Sequence, residues 1–246
     1  MEENQYTKDF YNSQRFYSRL SGSNVLPFIF NLIKVNSILD VGCGTGEWLR
    51  AAKDLGVSEI CGLDGHYVDR DLLAIPKEAF IDYDLKNPID LNRKFDLAIS
   101  MEVAEHLPES TSEMFIESLT KHSDYVLFSA AIPKQDGTYH INEQPQDFWV
   151  AKFEKQDFLP IDFLRDKLWT KKGIDWWYKQ NMILYVKNSV VESNPQLKSL
   201  YLEFKKESYN KQHPEMTFLL NKIETPIARF LKEPNYTIKK FINYFF

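Results

Sequence analysis

The chain has 246 residues, 43% hydrophobic and 15% aromatic, enough for one α/β domain with an appendage and a full core. Its net charge of −5 supplies no general attraction to duplex nucleic acid, so none is expected as a partner. Two cysteines build no disulfide framework, Met1-Glu2-Glu3-Asn4 is unlike a signal peptide, and Val25 to Ile33 is too short to span a bilayer. A cytoplasmic protein is the expectation.

Residues 1–36 are rich in Tyr and Phe and read as helical pieces broken at Ser21-Gly22-Ser23-Asn24, an N-terminal cap. Residues 37–187 alternate strands with helices, the pattern of a parallel sheet. Strands are predicted at 38–41, 59–63, 79–81, 95–100, 125–129, 159–164 and 182–186, with helices near 47–55, 110–121 and 145–156. Residues 188–246 are more basic than the rest and read as a helical extension. Ile238, Phe241, Ile242 and Phe245 share one face of a helix there. That face serves either a contact with the core or another subunit, or a peripheral contact with a membrane surface.

The first predicted strand ends in Asp40-Val41-Gly42-Cys43-Gly44-Thr45-Gly46-Glu47. Glycines at alternate positions let the backbone turn sharply and lie directly against a ligand. Asp64 ends the second strand, where an acid can accept both hydroxyls of a ribose. The spacing is G-x-G-x-G and not the G-x-G-x-x-G of dinucleotide folds. Asp40 would repel a pyrophosphate and suits the ammonium of a methionine moiety. These residues resemble the cofactor loop of class I S-adenosylmethionine-dependent methyltransferases. The resemblance implies a Rossmann-like seven-stranded sheet, mostly parallel with an antiparallel last strand, flanked by helices. It also implies S-adenosylmethionine as cofactor, lined by Asp40, Gly42, Gly44, Gly46, Asp64, Gly65, Met101 and Glu102, with Asp84 and Leu85 at the adenine.

The fourth strand runs into Ser100-Met101-Glu102-Val103-Ala104-Glu105-His106-Leu107, and His140 follows the fifth. Glu102, Glu105 and His106 share one side of a helical turn, and both segments belong at the carboxyl edge of the sheet. Carboxylates with imidazoles suit a divalent cation such as Mg, Mn or Zn. The E-x-x-E-H pattern with a distant His is similar to small-RNA 2′-O-methyltransferases and quinone O-methyltransferases, which use such an ion. Glu102, Glu105, His106 and His140 are then the metal ligands. Without metal, His140 or His106 is the general base. Both readings stand.

Phe128 to Pro133, His140 to Gln144, Phe148-Trp149 and Trp176 to Asn181 occur in order with Val68-Asp69-Arg70 and Glu102 to Leu107. Over about residues 15–187 they look like a bacterial and viral methyltransferase group tied to surface-glycan synthesis. That resemblance implies O-methylation of a sugar, nucleotide-sugar or glycan acceptor. Trp149, Trp169, Trp176, Trp177 and Tyr178 are candidates to stack on sugar faces or to fill the core. Asn142 and Glu143 flank His140 and are expected to line the acceptor site. The rival acceptors are a quinone, a natural-product phenol or an RNA ribose. A non-catalytic cofactor-binding subunit is the rival of another class.

Overall fold

Alternate side chains of β1 (Ser37–Val41) enter opposite cores, Ile38 on one face of a sheet and Leu39 with Val41 on the other. Both faces are buried, as a mostly parallel sheet requires. In this computed structural model, which describes residues 8–219, the other strands are β2 (Glu59–Asp64), β3 (Phe80–Asp82), β4 (Leu97–Met101), β5 (Tyr125–Ser129), β6 (Phe158–Ile161) and β7 (Ile183–Lys187). Their order is β3-β2-β1-β4-β5-β7-β6, and β7 runs antiparallel to both β5 and β6. The expected seven-stranded sheet with an antiparallel last strand is therefore present. The order reverses between β1 and β4, which opens a crevice at their carboxyl ends.

One face of the sheet is covered by α1 (Lys8–Phe30), α2 (Glu47–Asp54) and three helices late in the chain. The other face is covered by α3 (Ser112–His122) and α4 (Gln146–Lys155). The expected break at Ser21-Gly22-Ser23-Asn24 is absent, and α1 runs straight through it. The reason is packing. A Cβ at Gly22 would lie 3.1 Å from Ala51 Cβ and 3.3 Å from the Trp48 ring, so glycine here lets two helices approach.

The sixth strand is shorter than expected and stops at Ile161. Phe163–Leu168 form α5 instead, because Asp162 is fully buried and its carboxylate receives Arg165 Nε and Nη2, each at 2.6 Å. Arg165 also donates to the carbonyls of Gln180 and Tyr209. Charge-assisted bonds of this kind outweigh the strand preference of an apolar run. Next comes α6 (Trp176–Asn181), and after β7 come α7 (Asn188–Ser193) and α8 (Pro195–Phe204), capped by Asn194.

The chain divides into two compact units, residues 1–211 and 212–246. Residues 188–211 thus belong to the first unit, although the sequence reading placed all of 188–246 in the extension. The amphipathic face of Ile238, Phe241, Ile242 and Phe245 lies outside the described residues. Among the described residues no helix is long and apolar enough to cross a membrane.

Overpacking the contact between α1 and α2 tests this layer. Gly22→Val is expected to cost about 1–3 kcal/mol, read as a lower urea midpoint with an unchanged m-value. A midpoint equal to the wild type would contradict the close approach.

Candidate active site

The turn after β1 holds Gly42, Gly44 and Gly46 at φ of 83°, 53° and 83°, the left-handed region that glycine enters without a Cβ penalty. The Gly42 and Cys43 amides donate to the Leu63 carbonyl at 2.8 and 3.1 Å. Asp64 then closes the turn. Its Oδ2 accepts from the Gly44 amide at 2.6 Å and its Oδ1 from the Gly65 amide at 2.7 Å, with the Tyr67 hydroxyl also donating to Oδ1.

The glycines differ in what surrounds them. A Cβ at Gly42 would lie 2.3 Å from Val103, and one at Gly46 2.8 Å from Ile75. At Gly65 it would strike the Tyr67 ring at 2.4 Å. At Gly44 it would meet nothing within 4 Å, so this backbone lies bare to the crevice.

Three buried carboxylates surround the loop: Asp40, Glu47 and Asp64. Arg15 pairs with Glu47 at 2.8 Å. Burial, reinforced by the charge of Asp64, pushes the Asp40 carboxyl well above the usual carboxylate range. A pyrophosphate would meet like charge here, whereas a sulfonium nucleoside bearing an ammonium would meet opposite charge. The turn after β3 is held against this edge by Tyr83, whose amide donates to the Asp64 carbonyl at 2.8 Å. In that turn Leu85 is buried, and Asp84 is exposed with its Oδ1 accepting from the Lys86 amide at 3.1 Å. The donor set and the bare glycine fit S-adenosylmethionine.

At the end of β4, Met101 is buried and Glu102 adopts a φ of 56°, a strained conformation for a side chain of this size. Its carboxylate accepts from Asn181 Nδ2 at 3.1 and 3.2 Å and from Gln135 Nε2 at 2.8 Å. Gln135 Oε1 in turn accepts from Asn181 and Gln180 at 2.9 and 3.0 Å. Glu102 is thus drawn toward α6. Among the described residues, the cluster able to hold a cation is Glu105, His106 and His140, whose ligand atoms lie within 4.8 Å of one another. The four expected metal ligands are therefore brought together as three.

Glu105 is fully buried, and neither carboxylate oxygen has a partner in hydrogen-bonding geometry. Burial, with the charge of Glu102 added, holds its carboxyl well above the usual range. His106 shifts the other way, lowered first by burial and then by His140, whose ring centroid is 4.9 Å away.

The loop after β5 is stitched to this turn, since the amides of Ile141 and Asn142 donate to the Glu105 carbonyl at 2.9 and 3.0 Å. His140 Nδ1 lies 2.9 Å from Glu143 Oε1, and Glu143 Oε2 accepts from the Lys134 amide at 2.8 Å. The imidazole rests on Gly137, where a Cβ would lie 2.3 Å from His140 Nε2. Asn142 does not face the crevice as expected. It is 3% exposed and donates to the Ala104 carbonyl and Ser112 Oγ, each at 3.3 Å, so it anchors the loop. Trp149 and Tyr178, offered above as sugar platforms, are 2% and 6% exposed and fill the core.

Gln135, Gly137 and Tyr67 carry weight that the sequence reading did not assign. Pro133-Lys134-Gln135-Asp136-Gly137 signals a turn, but nothing local says that its amide reaches Glu102. The contrast between Gly42 and Gly44 is testable. Gly44→Ala is expected to lose the ~1–2 kcal/mol of a left-handed alanine and to weaken cofactor binding. Gly42→Ala adds overlap with Val103 and lowers the melting temperature further. Equal melting temperatures for the two variants would contradict the assignment.

No curated protein matches the chain in sequence. Among solved structures, the sugar N-methyltransferase KedS8 from Streptoalloteichus sp is similar, with 13% identity and a TM-score of 0.59 over 76% of this chain and 95% of that one. The plantazolicin methyltransferase BpumL, solved with a pentazolic desmethylPZN analog and SAH, shows 18% identity and a TM-score of 0.53 over 73% and 88%. DesVI of Streptomyces venezuelae shows 20% identity and a TM-score of 0.43 over 56% of this chain, which spans only 62% of DesVI. A family model described as "Methyltransferase domain" matches residues 11–183. That match takes in the glycine turn, both site loops and most of the chain, which therefore belongs to the methyltransferase-domain family.

Proposed function

We propose that the chain methylates a hydroxyl of a sugar, nucleotide-sugar or glycan, with His140 taking the acceptor proton. The observation that carries this reading is the pair formed by His140 and Glu143 at 2.9 Å, on the loop tied to the turn after β4. A carboxylate on Nδ1 fixes the tautomer in which Nε2 is the free base. Glu143 is itself fixed by the Lys134 amide, and Gly137 leaves room for the ring. A sugar hydroxyl is a weak nucleophile until its proton is drawn away, which is the task such a base performs.

S-adenosylmethionine supplies an electrophilic methyl carbon when bound. This chain's part is to seat it by Gly44 and Asp64, to receive its adenine at Asp84 and Leu85, and to draw the acceptor proton onto His140 Nε2. Positioning of this kind is a large share of such a rate enhancement. The sugar acceptor is supported by the ordered motifs that resemble those of glycan-linked methyltransferases. KedS8 by its name takes a sugar on the same fold, so the architecture is compatible with one.

A second reading rests on Glu105. A buried carboxylate with no well-formed hydrogen bond, beside two imidazoles, fits a divalent cation held by Glu105, His106 and His140. Such an ion would lower the pKa of a bound hydroxyl. Glu143 would then orient His140 as a ligand.

One set of assays separates the readings, run over nucleotide-sugars and short glycans with and without a chelator. His140→Ala is expected to bind cofactor normally and to lose about 10²–10⁴-fold in turnover. Chelator-insensitive turnover supports the base. Turnover lost to chelator and restored by Mg, Mn or Zn supports the cation, as does a metal-induced rise in melting temperature that Glu105→Gln abolishes. Full turnover by His140→Ala would contradict both.

A further inference from the structure

His140 stands between two large apolar side chains that water reaches freely, Tyr139 at 68% and Ile141 at 64% exposure. A single exposed apolar residue is ordinary. Two of them flanking the proposed base, on a loop that is otherwise tied down, are a different matter. The Tyr139 carbonyl lies 3.3 Å from His106 Nδ1, and the next two amides, those of His140 and Ile141, donate to the carbonyls of Gly137 and Glu105. Asn142 then anchors the loop from within, and Glu143 holds the Lys134 amide on its far side. Tyr139 itself has a φ of 61°, so the fold keeps a bulky residue in the left-handed region without burying its ring.

We propose that Tyr139 is a specificity-determining residue whose ring stacks on the apolar face of the acceptor sugar. The inference rests on the sugar reading given above. A pyranose is amphipathic, with C–H groups on its faces and hydroxyls around its edge. An aromatic ring takes the C–H face at small entropic cost, because only two side-chain torsions are frozen on binding. The edge hydroxyls are then directed along the loop to the neighbouring His140. The core aromatics Trp149 and Tyr178 offer no such surface. Tyr139 binds and orients, and it takes no part in moving the proton.

The test compares Tyr139→Ala, Tyr139→Phe and the wild type on the sugar that the wild type methylates best, with cofactor affinity measured separately by calorimetry. Tyr139→Ala is expected to raise the acceptor KM about tenfold, with cofactor affinity unchanged. Tyr139→Phe keeps the ring and is expected to retain the wild-type KM. An unchanged KM in Tyr139→Ala overturns the inference and leaves the sugar reading standing. A KM raised equally in Tyr139→Phe also overturns it, because the hydroxyl and not the ring face would then be the contact. A wild type that methylates phenols or RNA and no sugar overturns the sugar reading, and this inference with it.

Discussion

The carboxylate of Asp64 is the constraint on which the rest of the site depends. It ends β2 and receives the amides of Gly44 and Gly65, so the turn leaving β1 and the turn leaving β2 share one acceptor. Hydrogen bonds to a charged group contribute about 1.5–3 kcal/mol each, enough to hold three glycines in left-handed conformations. With that turn closed, α2 starts at Glu47, the crevice opens between β1 and β4, and Tyr83 brings the adenine-side turn against the Asp64 carbonyl. One residue, by its carboxylate and its own carbonyl, thus shapes the edge of three neighbouring strands.

The acceptor side depends on a second convergence, around Glu105. Its carbonyl receives two amides from the loop after β5, and its side chain is buried between the two histidines and Glu102. Glu102 keeps its strained backbone because Asn181 and Gln135 hold its carboxylate from α6 and the opposite loop. Three segments far apart in sequence are therefore locked together. The position of His140 is a product of that lock, and so is the exposure of Tyr139.

Much of this was legible in the sequence, and the parts that were not share a cause. Apolar runs and glycine spacing report local geometry, so the strands, the cofactor turn and the Asp64 partner could be read directly. The pair of His140 with Glu143 lies three residues apart and was within reach. Gly22 looked like a helix breaker because its reason for being glycine is Trp48 and Ala51 on another helix. Phe163 and Leu164 looked like strand because the carbonyls that complete the burial of Arg165, those of Gln180 and Tyr209, are remote in sequence. Asn142 looked like a ligand contact because its partners, Ala104 and Ser112, are more than 29 residues away. Polar residues whose partners are remote carry no local signature, and they decide how a site is held.

The central claim is that a glycine turn lined with buried carboxylates selects a cationic adenosine cofactor over an anionic dinucleotide. Calorimetric titration of the wild-type chain with S-adenosylmethionine and with NAD, each in two buffers of different ionisation enthalpy, tests it most directly. Burial raises the pKa of Asp40 in the free protein, and a bound cation lowers it, so binding releases protons and strengthens with pH in the window between those two values. The account predicts one-to-one binding of S-adenosylmethionine with buffer-dependent heat showing proton release, and no binding of NAD. Binding of NAD, or an absence of binding by S-adenosylmethionine, would contradict it.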